Sequence, residues 1–165
     1  MNHPNIRITV KDMGSMTAEL YPEKAPLTVE NFLKLVDESF FEGLIFHRVI
    51  PGFMVQGGGY SPDFSEKKTD SIRGEFAANG CQTNDLKHLR GTLSMARTMA
   101  PNSASSQFFV MHKDAPHLDR NYAAFGLVTE GIEVVDAIAS VATGRYSYFD
   151  DVPVTPVIIE KIERI

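Results

Sequence analysis

Between Gly43 and Phe125 the apolar residues come only in short runs, and this bounds the fold more tightly than any other feature. "LIFHRVI", "FMVQGG", "GTLSMA", "SQFFVMH" and "YAAFGLV" are separated by Gly, Pro, Asn and Ser. Short apolar runs bounded by turn residues read as β-strands. Two more precede them. Ile6, Ile8 and Val10 alternate with polar residues in "NIRITV", as do Met16, Ala18 and Leu20 in "SMTAEL". Two alternating runs joined across a short Gly-containing turn predict a β-hairpin.

A helical period occurs twice. Val29, Phe32, Leu33 and Val36 fall on one face, with Pro26 suited to the first turn. Ile132, Val135, Ile138 and Ala139 share a second face, with Glu133 in its first turn. "VPVTPVIIEKIERI" reads as a closing strand that buries Val157, Ile159 and Ile162. Pro153 and Pro156 stand at its start, where a missing N–H is tolerated. Strands outnumber helices and do not alternate with them, which argues against a doubly wound parallel sheet. A mostly β fold is expected: a closed antiparallel β-barrel with two α-helices covering its ends. The 165 residues suit a single domain spanning 1–165. Tyr60–His88 holds few apolar residues and is too long for a plain connection, so a packed functional loop is expected there.

Composition excludes several function classes. A net charge of −5 argues against a nucleic-acid surface, which needs a basic stripe. One cysteine, Cys81, cannot form an internal disulfide, and reads as a loop or partly buried thiol. "MNHPNIRITVKDMG" lacks a basic segment followed by an apolar one, and no window approaches a membrane span. The expected location is the cytoplasm, with no membrane partner.

The usual chemistries find few residues. "QGGGY" lacks the spacing of a phosphate cradle, and its glycines read as a positive-φ turn. The histidines, His3, His47, His88, His112 and His117, form no metal-binding motif, and no cysteine pair exists. Neither metal nor cofactor is expected. Ser103, Ser105 and Ser106 lie outside any nucleophile elbow, and no triad is discernible. His47 and Arg48 adjoin on one strand and so face opposite sides, with His47 read as a satisfied core histidine. What remains are groups that bind. Arg48 is a permanent cation with a planar donor fork. Phe53, Met54, Phe109 and Leu118 offer apolar surface, and Gln56 and Gln107 both donate and accept hydrogen bonds. From the residues alone, a barrel that binds a peptide or small ligand is expected.

"FHRVIPGFMVQGG", "GTLSMART…NSASSQFFV" and "PHLDRNYAAFGLVTEG" together resemble the cyclophilin-type peptidyl-prolyl cis–trans isomerases. The resemblance extends from "ELYPEKAPLTVENF" to "ATGRYSYFDDVPV" and is strongest to single-domain bacterial members. It implies an eight-stranded barrel with an external groove and isomerisation of X–Pro bonds without a covalent intermediate, in aid of protein folding. Arg48 then matches the catalytic arginine. Phe53, Met54, Gln56, Gln107, Phe109 and Leu118 match substrate-binding positions. Ala96, Thr98 and Met99 match the segment along the substrate backbone, in a loop one residue longer than "ANAGPN" forms. His117 stands where many members have tryptophan, and Tyr122 where many have histidine. The first replacement implies reduced cyclosporin affinity. The implied partners are proline-containing peptides and flexible protein segments, bound by a monomer. Two other readings are a non-catalytic proline-peptide module or chaperone, and a lipocalin-like barrel with an open interior.

Overall fold

The structure, a computed structural model, describes residues 3–165. The chain runs β1 (Asn5–Val10), β2 (Gly14–Leu20), α1 (Pro26–Asp37), β3 (Arg48–Ile50), β4 (Met54–Gly57), β5 (Thr92–Met95), β6 (Phe108–Met111), β7 (Ala124–Glu130), α2 (Ile132–Ala139), β8 (Thr143–Tyr146), β9 (Phe149–Pro153) and β10 (Ile159–Arg164). The expected hairpin is β1–β2, in register from Asn5↔Glu19 to Val10↔Gly14. Both helices form over the predicted residues, and their apolar faces join one core cluster.

The closed barrel is corrected. Eight strands form one antiparallel sheet in the order β10-β1-β2-β7-β5-β6-β4-β3, and its edge strands β10 and β3 do not pair. The chain just before β3 is too irregular for a ladder and meets the other edge through single main-chain bonds: Gly43 N–H to Ile159 O (2.8 Å), Phe46 N–H to Val157 O (2.9 Å) and Ile159 N–H to Leu44 O (2.7 Å). The single closing strand is also corrected. β9 pairs with β8 as a separate hairpin, and β10 begins only after Pro156. Proline cannot donate to a ladder, so the break falls between the two.

The sheet's inner side is filled. Phe32, Phe41, Phe46, Phe108 and Phe125 are buried and meet edge to face or tilted at 5.0–5.9 Å. Offset and edge-to-face rings attract, and close packing leaves no ligand chamber. This overturns the open-interior reading.

The segment 60–88 places Phe76 in the main core cluster and is otherwise held by hydrogen bonds. Buried Glu75 accepts from Leu27 N–H, Thr28 N–H and the Thr28 hydroxyl, at 3.2, 2.7 and 2.7 Å. It thereby satisfies the start of α1, which has no side-chain cap of its own. Asn84 donates to Glu75 O and Ala124 O, tying the segment to β7. Cys81 is a partly buried loop thiol, as expected.

Candidate active site

β3 and β4 carry the first half of the site. Phe53 N–H bonds Ile50 O at 3.0 Å across Pro51 and Gly52, and Gly52 has φ +80°. Positive φ at the third residue marks a type II turn, which favours Pro then Gly in that order. The turn sets Arg48 directly opposite Gln56 and Ile50 opposite Met54. Period-two alternation then divides the hairpin. Val49 and Val55 enter the core, while Arg48, Met54 and Gln56 belong to the outer face.

A hollow of about 120 Å³ lies on that outer face, lined by Arg48, Phe53, Met54, Gln56, Ala96, Arg97, Phe109, Leu118 and Tyr122. Its floor is a second apolar cluster of Met54, Phe109, Met111, Ala115 and Leu118, against which Phe53, Ala96 and Tyr122 pack. Phe109 and Tyr122 meet edge to face at 5.9 Å.

Three polar side chains form a line along the rim. Gln107 Oε1 accepts from Gln56 Nε2 at 3.0 Å, and Gln56 Oε1 accepts from an Arg48 terminal nitrogen at 3.4 Å. Gln107 is in turn packed on Gly59, where a Cβ would fall 2.5 Å from its Cγ. None of the ion pairs among the described residues includes Arg48.

Arg97, not among the sequence expectations, also lines the hollow. Its guanidinium lies 4.6 Å from the Phe76 ring and 4.7 Å from the Tyr122 ring, and donates to Asn121 O at 3.2 and 2.7 Å. Its signal was its position, next after Ala96 at the end of a strand. Thr98 and Met99 do not line the hollow. Thr98 is bound within its own loop to Ser103, and Met99 is 94% exposed. The longer loop carries both away from the floor. His117 also lies outside the lining and packs on Phe53 at 5.7 Å, while Gln107 lines a neighbouring polar cleft.

Burial lowers the pKa of both buried histidines, in different surroundings. His47 faces inward against Tyr60 and Phe149, but its Nδ1 finds no hydrogen-bond partner among the described residues. Burial first, and the Arg48 charge second, lower its pKa to about 4. His88 shows an arrangement the sequence did not betray. Its Nε2 lies 2.9 Å from Ser94 Oγ and its Nδ1 3.0 Å from Asp119 Oδ1, the order of a serine–histidine–aspartate triad. Ser94 is 0% exposed and His88 1%, beneath the Phe109 ring. A hydroxyl that no substrate reaches cannot act as a nucleophile, so this network braces the pocket floor instead. Burial lowers the His88 pKa against the opposing pull of Asp119.

Among the described residues no cluster of three or more His, Cys, Asp or Glu could hold a metal ion, and no helix is long and apolar enough to cross a membrane. Residues 5–164 match the family model described as cyclophilin type peptidyl-prolyl cis-trans isomerase/CLD. The chain is 44% identical over 157 residues to a peptidyl-prolyl cis-trans isomerase of Acinetobacter baylyi, covering 92% of this chain and 81% of that one. It is 45% identical to peptidyl-prolyl cis-trans isomerase B of Escherichia coli, covering 90% and 93%. Among solved structures, a Cryptosporidium parvum cyclophilin type peptidyl-prolyl cis-trans isomerase superposes with TM-score 0.85 at 27% identity, covering 99% and 98% of the two chains. A structure of that isomerase in the presence of the dipeptide Ala-Pro superposes with TM-score 0.80 at 28% identity, covering 96% and 97%.

Proposed function

This chain belongs to the cyclophilin-type peptidyl-prolyl cis–trans isomerases, and from that premise we propose that Arg48 catalyses rotation about X–Pro bonds while the hollow beside it grips the proline ring. Rotation breaks no covalent bond. The barrier of about 18–20 kcal/mol is the amide resonance lost on twisting. In the twisted state the proline nitrogen regains a localised lone pair. A donor aimed at that nitrogen stabilises the twisted state above either planar one, and only such differential binding speeds the step.

Arg48 fits that task. It carries a rigid, cationic donor fork, and no carboxylate among the described residues pairs with it. Gln56, bonded to both Arg48 and Gln107, restrains the fork. Phe53, Met54, Phe109 and Leu118 hold the ring still while the acyl side turns. Ala96, whose N–H bonds Gln107 O at 3.0 Å, borders the path of the substrate backbone. Thr98, Met99 and His117 would touch only residues beyond the proline. The single observation that carries this reading is Arg48, without an ion-pair partner among the described residues, at the edge of a hollow with an apolar floor.

The same reading extends to the biology. The substrates are proline-containing segments of unfolded or flexible proteins, whose folding the isomerase assists as a single-domain monomer in the cytoplasm. With His117 in place of a tryptophan, cyclosporin binds with reduced affinity. The test is nuclear magnetic resonance on a short Ala–Pro peptide. We expect cis–trans exchange cross-peaks that need catalytic protein, and peptide-induced shifts in Phe53, Met54, Phe109 and Leu118. Exchange at the uncatalysed rate, or shifts centred elsewhere, would overturn the assignment.

A further inference from the structure

One residue outside the pocket holds the turn on both sides of Phe53. In a type II turn the third residue's N–H makes no bond within the turn. That N–H, from Gly52, donates instead to His112 Nδ1 at 2.8 Å. The main-chain N–H of His112 donates to Phe53 O at 2.9 Å.

His112 can accept at Nδ1 only if its ring proton sits on Nε2. Asp136, on α2, sets that condition. Its Oδ1 lies 3.1 Å from Nε2, and a carboxylate can only accept. Arg90 holds Asp136 through two bonds of 2.7 Å and also donates to His112 O at 3.0 Å. The hydrogen bond from Arg90 keeps the Asp136 carboxyl below the ordinary range, so it remains an ionised acceptor. The path therefore runs Arg90, Asp136, His112, Gly52, Phe53. Its first three members do not line the hollow.

Phe53 needs such support. It is only half-buried and lies at the edge of the outer cluster, with His117 as its ring neighbour. We propose that His112, oriented by Asp136 and Arg90, is a positioning residue that fixes the Pro51–Gly52 turn and so the wall that Phe53 presents to the substrate's proline. This rests on the reading of the hollow as the proline site. A wandering wall must be ordered at each binding event. That cost weighs equally on planar and twisted substrate, so it raises KM and leaves kcat alone.

The experiment compares wild type, His112→Ala, His112→Asn and Asp136→Ala on one Ala–Pro tetrapeptide, with the Gly52 amide proton shift as a second readout. Asparagine places an oxygen where Nδ1 stood, so it keeps an acceptor for Gly52. His112→Ala is expected to raise KM about three- to tenfold, the worth of one neutral hydrogen bond, with kcat little changed and the Gly52 amide moved upfield. His112→Asn should restore both readouts. Asp136→Ala should move both in the same direction as His112→Ala, and the double variant should be no worse than His112→Ala, because both act through one path. An unchanged KM in His112→Ala overturns the proposal, as does a loss confined to kcat or an equal defect in His112→Asn. Should His112→Ala not fold, a wild-type KM in Asp136→Ala overturns it. An inactive wild type would refute the proline-site reading and this proposal with it. An active wild type with unaffected variants refutes this proposal alone.

Discussion

The molecule has two apolar clusters, and the same strands build both. On β4 and β6, Val55, Phe108 and Val110 face inward, while Met54, Phe109 and Met111 face outward. The inner cluster is closed by interlocking phenylalanines and both helices. The outer one is left unfinished, with a hollow of about 120 Å³ beside an arginine. Packing is complete on one face of these strands and incomplete on the other, where it leaves the hollow. Phe108 and Phe109 stand next to each other in sequence and serve opposite ends.

The sharpest break of that comparison is Phe108→Ala. It should lower unfolding free energy by about 3–5 kcal/mol, the usual cost of truncating a fully buried phenylalanine, measured by urea denaturation. Phe109→Ala should raise KM for an X–Pro peptide and lose less stability, because its site can be reached by water. Equal stability losses would mean that the outer cluster is simply more core.

His47 and Arg48 repeat the contrast in charge. Arg48 keeps its charge outside, and His47 is kept neutral inside. The folded His47 pKa, about 4, is depressed from 6.5. Above 6.5 it is neutral in both states and adds no pH dependence. Below 6.5 the unfolded chain takes the proton that the folded one refuses. Stability should therefore fall as pH drops towards 4, by something of the order of 3 kcal/mol. His47→Phe should flatten that slope in thermal melts, and an unchanged slope would show that other groups cause it. Gln56→Ala is the mildest change. Loosening the Arg48 fork should reduce kcat/KM about tenfold or less with stability intact, as for one lost hydrogen bond.

What the sequence revealed follows from the range of the forces involved. The hairpin, α1 and α2 rest on periodicity within a few residues, and each formed where expected. The run "FFVM" announced a strand but not which residue faces which cluster, since both sides are buried. Closure was overestimated because it depends on whether residues near 43–46 and 157–159 pair as strands, more than a hundred positions apart. The ordered loop 60–88 was unreadable for the same reason: Glu75 has meaning only beside Thr28. In the candidate site, Arg48, Phe53, Met54 and Gln56 come together because one tight turn joins the strands that carry them. Thr98 and Met99 lie outside the hollow, in a loop whose course the sequence does not give, and Arg97 was hidden because its contacts need Phe76 and Tyr122 on other elements. The His88 and His112 networks join elements that adjoin only in the fold.

The central claim is that Arg48 acts on the twisted amide and contributes nothing to the fold. Isomerisation of an Ala–Pro peptide by Arg48→Ala, with the melting temperature of the same sample, tests it most directly. The expected result is a fall in kcat/KM of about 10²–10³, comparable to losing one preorganised transition-state donor, with an unchanged melting temperature. A near-wild-type rate, or a rate lost only together with stability, would contradict it.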